Sequence, residues 1–188
     1  MQGSEVFGRF GLMYCIVLIG YRAVGKTSAG RLLADRLEYD FADTDQLICE
    51  MQAATIAEIV EKKGWKVFRR YEEEALRTAV SQPRRVVSTG GGAVLHQEVF
   101  EQIRRQNFVV WLRADLKVLG QRLTMAKEGE RPSLTGASIV AEMKDVLEQR
   151  TPLYRRFSDL AVDSGKQDID SVVAEITKAY YAALATKA

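Results

Sequence analysis

Residues 20–27 read GYRAVGKT, an order of residue types suited to holding a chain of phosphates. Gly20, Gly25, Lys26 and Thr27 fill the spacing G-x-x-x-x-G-K-[ST]. Glycine lets the backbone wrap close to the ligand. The N–H groups of Ala23, Val24, Gly25 and Ser28, with the N-terminus of the helix that follows, can then point at negative charge. Lys26 would neutralise the terminal phosphates, and the Thr27 hydroxyl can ligate magnesium. The spacing predicts binding of a nucleoside triphosphate.

Two carboxylates stand near enough in the chain to work beside this loop. Asp43 and Asp45, in FADTD, close a short extended segment, so both can lie at the sheet edge that carries the loop. One residue apart, they face opposite ways if the strand persists, one toward a metal ion and the other toward a second substrate. Plain solvated residues ahead of a helix are the alternative. An ATPase or GTPase of this class normally ends a further strand on an acid. Here the third apolar run, RRVVST, ends in Ser88-Thr89 and three glycines, and LAVD at 160–163 comes late enough simply to close the last strand. The single histidine, His96, cannot make a metal cluster by itself and is placed near a helix start. With no other histidine to act as base, serine and cysteine triads are excluded.

These groups need elements that bring them together. YCIVLIG (14–20), YDFADTD (39–45), RRVVST (84–89), NFVVWL (107–112) and DLAVD (159–163) read as five strands. Helical periodicity follows each: KTSAGRLLADRL, a helix from about Gln46, another capped by TIAE at 55–58 and running on from Trp65 to Ala79, one begun by Asp115, one from Ile139 to Arg150 or beyond, and one from about Asp168. Strands alternating with helices predict an α/β fold of three layers, α/β/α, around a five-stranded parallel sheet with its ligands beyond the carboxyl ends of the strands. The polar stretch 126–138, AKEGERPSLTGAS, is the candidate lid. Residues 1–12 read as a disordered extension and 13–188 as one domain. Over 188 residues with 47% apolar content, 27 basic and 25 acidic groups leave a net charge of only +2, which predicts no nucleic-acid or membrane partner. No run reaches the about 18 uninterrupted apolar residues of a membrane span. Two cysteines without disulfide or metal spacing suit a reducing cytoplasm as packing residues.

GYRAVGKT, FADTD, FRRYE (68–72), STGGG (88–92), RPSL (131–134) and RTPLY (150–154), taken in order, resemble the shikimate kinase family, whose fold is nucleoside monophosphate kinase-like. The resemblance runs from about Met13 to the last helix. It implies magnesium-dependent transfer of the ATP γ-phosphate to the 3-hydroxyl of shikimate by a cytoplasmic monomer. Catalytic roles fall to Lys26, Asp45 and Arg131, with Arg131 closing onto the nucleotide from the lid. Shikimate would be held by Asp45, Arg69, Glu72, Gly90, Gly91, Gly92 and Arg150, from helices over about 45–80 and the strand edges. Magnesium would be held by Thr27 directly and by Asp43 through water. Glu72, three residues after Arg69 on one helix, can orient its guanidinium. The chain departs from the family at Trp65, where an acid is usual, and at Ser133 in the lid. A kinase for another small polyol acid such as gluconate, and a silent nucleotide-binding module, are the competing readings. The arginine pairs 84–85, 104–105 and 155–156 read as solvated faces.

Overall fold

A computed structural model describes residues 15–125 and 139–187. The expected extension and lid, with Arg131 and Ser133, lie outside those residues. Five strands, β1 (Cys15–Ile19), β2 (Asp40–Asp43), β3 (Arg85–Ser88), β4 (Phe108–Arg113) and β5 (Leu160–Asp163), form a parallel sheet in the order β2-β3-β1-β4-β5. The helices are α1 (Lys26–Leu37), α2 (Thr44–Gln52), α3 (Ile56–Ala79), α4 (Gln97–Gln106), α5 (Leu116–Met125), α6 (Ile139–Phe157) and α7 (Ile169–Lys187).

β1 carries the centre of the core. All five of its residues are fully buried. Ile16 and Leu18 join the cluster beneath α1 and α7, whereas Cys15, Val17 and Ile19 join the one beneath α4 and α6. A continuous apolar run is what a strand covered on both faces requires, and each large side chain so buried contributes about 1.5–3 kcal/mol. Burial pushes the Cys15 thiol up to about 11, consistent with a packing role. Because β3 and β4 flank β1, connections diverge on either side of it, and the crevice at its carboxyl end is where such sheets receive ligands.

α2 begins at Thr44, two residues before the expected start. Asp43 Oδ1 accepts from the backbone N–H groups of Asp45 (3.0 Å) and Gln46 (3.4 Å), so this carboxylate caps the helix and stops the strand. α3 opens with the expected capping box of Thr55 and Glu58 and breaks at Gly64, whose φ of 78° and ψ of 166° are not helical. Arg69 and Glu72 therefore ride on the second of two helical segments. The arginine pairs are not idle faces throughout. Arg156 Nη2 donates to Glu101 Oε1 at 2.6 Å and Arg104 Nη1 to Arg156 O at 2.9 Å, joining α4 to α6. Arg85 Nη1 donates to Ala79 O at 3.3 Å. Among the described residues no helix is long and apolar enough to cross a membrane.

Candidate active site

The loop 20–27 leaves β1 and enters α1 over the end of the sheet. Gly20 has φ 139°, and a Cβ there would sit 2.2 Å from Leu112 O, so both conformation and space require glycine. Gly25, at φ 98°, forms the left-handed entry to α1. Lys26 Nζ, almost buried, donates to Gly20 O and Tyr21 O at 2.9 Å each and is thereby folded back along its own loop. Beside the loop opens a cavity of about 460 Å³, lined by residues 23–29, Arg122, Ser164, Gln167, Ile169 and Val172.

Arg122 and Ser164 have no counterpart among the sequence expectations. Ser164 Oγ donates to Val24 O at 2.7 Å, Arg122 Nη1 to the same oxygen at 3.3 Å, and Arg122 Nη2 to Ser164 O at 2.8 Å. They stitch the loop to the ends of β5 and α5. Ser164's one sequence signal is that it directly follows the last strand.

Thr27 Oγ1 donates to Asp43 Oδ2 at 2.8 Å and lies 3.4 Å from Ser88 Oγ. Asp43 thus spends one oxygen on capping α2 and presents the other to the phosphate loop. Capping α2 and facing the phosphate loop do not compete at this carboxylate, and it is not a merely solvated residue. The strand does not persist to Asp45, which lies in the first turn of α2, so alternation along a strand does not decide where it points. Gly90 does: a Cβ on Gly90 would lie 2.8 Å from Glu72 Oε1 and 2.9 Å from Asp45 Oδ1. Gly90 N–H donates to Thr44 Oγ1 at 3.0 Å, fixing the start of α2 against the glycine turn.

A second, smaller cavity of about 40 Å³ lies beyond this turn, lined by Tyr21, Arg22, Ile56, Trp65, Phe68, Arg69, Glu72, Gly91, Gly92 and Arg150. Arg69 Nη1 bonds Glu72 Oε2, and the guanidinium lies 5.5 Å from the ring centroids of both Trp65 and Phe68. Trp65, the departure from the family pattern, therefore backs the arginine with an aromatic face. Arg150, buried, donates from Nη1 to Gly91 O at 2.9 Å, and Tyr154 OH donates to the same carbonyl at 2.6 Å. Burial pushes the Tyr154 phenol up to about 12, so it remains a donor. Burial alone would raise the Glu72 carboxyl, but hydrogen bonds from His96 and Arg69 and their charge outweigh it and hold the group below the usual carboxylate range. His96 Nε2 is 3.1 Å from Glu72 Oε2, a contact the sequence did not announce.

The structure brings the phosphate loop, Asp43, Asp45, Arg69, Glu72, the glycine turn and Arg150 to one edge of the sheet. Arg131 lies outside the described residues. Among the described residues, no group of three or more His, Cys, Asp or Glu side chains forms a metal cage. Such an edge can hold a phosphate chain in one cavity and a small anion, between two guanidinium groups, in the next.

A sequence model described as shikimate kinase matches residues 22–181. The chain is 41% identical over 177 residues to a shikimate kinase of Nitratidesulfovibrio vulgaris, covering 94% of this chain and 97% of that one. With a shikimate kinase 2 of Photorhabdus laumondii the identity is 45% over 140 residues, 74% of this chain and 80% of the relative. A solved shikimate kinase of Acinetobacter baumannii in complex with shikimate superposes with a TM-score of 0.85 at 29% identity, covering 96% and 98% of the two chains.

Proposed function

Because the chain belongs to the shikimate kinase family, we propose that it transfers the γ-phosphate of ATP to the 3-hydroxyl of shikimate, giving shikimate 3-phosphate and ADP in the fifth step toward chorismate. ATP is the co-substrate of this family. The observation that carries the reading is that Arg69 and Arg150 line one cavity immediately beyond the phosphate loop. A carboxylated acceptor calls for forked cations, and a neutral polyol does not.

The shikimate carboxylate lies between Arg69 and Arg150. Glu72 holds the first guanidinium from behind, and Gly91 O holds the second. Asp45 accepts the 3-hydroxyl, orients it toward the phosphate and takes up its proton as the oxygen attacks. Lys26 leaves its loop carbonyls for the β- and γ-phosphates, and Arg131, which the family resemblance assigns to the nucleotide, adds a second cation for them. Arg122 and the wall made by Gln167 and Ile169 take the adenosine side of the large cavity. Phosphoryl transfer asks for alignment and charge neutralisation more than for covalent chemistry, and these residues supply both. Thr27 Oγ1 and Asp43 Oδ2, hard oxygens 2.8 Å apart, suit magnesium. Thr27 would bind the ion directly and Asp43 through water, and the ion would neutralise charge on the transferred phosphate.

The smaller cavity, at about 40 Å³, has room for about three waters at about 10–15 Å³ each, so shikimate must push its walls apart to enter. Such opening and closing also excludes water from the transferring phosphate. With a charge near zero, the enzyme acts in this reading as a cytoplasmic monomer that meets only small molecules.

A coupled ADP-release assay with magnesium and ATP, run in parallel with shikimate, gluconate and nucleoside monophosphates, tests the proposal. Turnover confined to shikimate is expected. Preference for gluconate would point to another acceptor, and no acceptor-dependent release at all would leave a nucleotide-binding module.

A further inference from the structure

We propose that His96 is a positioning residue whose protonation tightens the grip of Arg69 on the acceptor carboxylate. This rests on the reading of the smaller cavity as the shikimate site.

His96 occupies the N-cap position of α4, yet its side chain makes no capping bond. Its ring, 12% exposed, turns instead to α3. Nε2 stands 3.1 Å from Glu72 Oε2, and Nδ1 stands 3.9 Å from Glu73 Oε2. Glu72 Oε2 is also the oxygen that accepts from Arg69 Nη1. One buried carboxylate oxygen is thus shared between the guanidinium that lines the cavity and an imidazole at the start of α4, which is not part of that lining.

Glu72 is ionised and can only accept, so in neutral His96 the proton sits on Nε2 and points at the carboxylate. A second proton, on Nδ1, would face Glu73 and make the ring a full cation. Glu72 then divides its charge between two cations, and Arg69 is left with more of its own for an incoming anion. The added positive charge near the cavity acts in the same direction. Among the described residues, the other charged or titratable groups around this cluster are Arg69, Glu72, Glu73 and Arg77 on α3, Asp45 on α2, Arg150 and Tyr154 on α6, Tyr21 and Arg22 of the loop, and Glu98 on α4. His96 is the only histidine in the chain.

The test follows the imidazole charge by NMR and measures the shikimate KM at saturating ATP as a function of pH for the wild type, His96→Gln and His96→Leu. The wild-type KM should rise about three- to tenfold as the ring loses its charge. His96→Gln keeps a donor for Glu72 but cannot titrate, so its KM should be flat. His96→Leu should be flat and higher throughout. The ATP KM should follow the same pH profile in all three proteins. By reciprocity, the imidazole resonance of the wild type, unambiguous because there is one histidine, should show a titration midpoint moved upward by saturating shikimate and unmoved by ADP. A slope retained in His96→Gln, or an imidazole titration indifferent to shikimate in an enzyme that turns it over, would overturn the role of His96 while leaving the activity standing. Lack of wild-type turnover with shikimate would overturn both.

Discussion

Gly92→Ala should separate acceptor binding from nucleotide binding with a single methyl group. Gly92 has φ −94° and ψ −4°, a conformation open to alanine, so the backbone need not strain. A Cβ there would lie 2.3 Å from Arg69 Nη1 and 2.9 Å from both Cζ and Nη2. Since nonbonded carbon contacts settle at about 3.5–4.0 Å, Nη1 must withdraw by about 1 Å or more. The guanidinium is the tip of a flexible side chain, so the fold yields at little cost. The displacement falls instead on the bond to Glu72 and on the fork that meets the carboxylate. A misplacement of about 1 Å can cost about 10²-fold, so the shikimate KM should rise about ten- to a hundredfold, or about 1.4–2.7 kcal/mol. The nucleotide cavity shares no lining residue with the smaller one, so the ATP KM should stay within about twofold. Initial rates with each substrate varied against a saturating level of the other, together with a thermal melt, read all three quantities. A shikimate KM within twofold of wild type would refute the placement of Arg69. A parallel rise of both KM values with a fallen Tm would mean that the methyl group had disturbed the fold.

Lys26→Ala should remove about 3 kcal/mol of transition-state stabilisation, seen as a kcat lower by about 10²- to 10³-fold; undiminished kcat would refute the loop assignment. Because Lys26 also braces Gly20 O and Tyr21 O, a melt must accompany that measurement. Arg122→Ala should raise the ATP KM about tenfold and leave the shikimate KM in place, while an effect on shikimate alone would contradict the division of the cavities. The Glu72 carboxyl is held low in the folded protein, so it adds stability above the ordinary glutamate range and loses it as pH falls through the lowered folded value. The advantage of wild type over Glu72→Gln in urea melts should therefore shrink as the pH falls through and below the ordinary glutamate value of about 4.3, and a constant difference would refute it.

The phosphate loop and the five strands were legible because their signals are local. CIVLI needs only its own five residues to declare a strand buried on both faces, and GKT follows it directly. The carboxylates were legible in type but not in geometry. DFAD is four residues with one buried, too short a pattern to show where the strand stops. Only the cap made by Asp43 settles that Asp45 belongs to a helix. The partners of Val24 O were out of reach because Arg122 and Ser164 are 98 and 140 residues away from it. Contacts across the sheet leave no periodicity. His96 and Glu72, 24 residues apart, meet because α4 begins where α3 passes, and the one hint was that the histidine stands four residues after Gly92.

The glycine turn explains why residues from three helices register at one site. Each glycine is approached by a different partner: Gly90 by Asp45 and Glu72, Gly91 through its carbonyl by Arg150 and Tyr154, and Gly92 by Arg69. β3, held between β2 and β1, sets the turn beside both Asp43 and the phosphate loop. The absence of Cβ atoms on Gly90 and Gly92 is therefore the condition that lets α2 and α3 converge there, while α6 is tied in through the Gly91 carbonyl. A methyl group should produce different kinetics according to which approach it blocks. On Gly90 it would meet Asp45 Oδ1 at 2.9 Å and Glu72 Oε1 at 2.8 Å, so it pushes on the group that receives the hydroxyl proton. Gly90→Ala should lower kcat by about tenfold or more, with a smaller change in shikimate KM, the reverse of the Gly92→Ala pattern. Identical kinetic signatures from the two variants would mean that the turn acts only as a spacer and that Asp45 and Arg69 do not divide the acceptor between them.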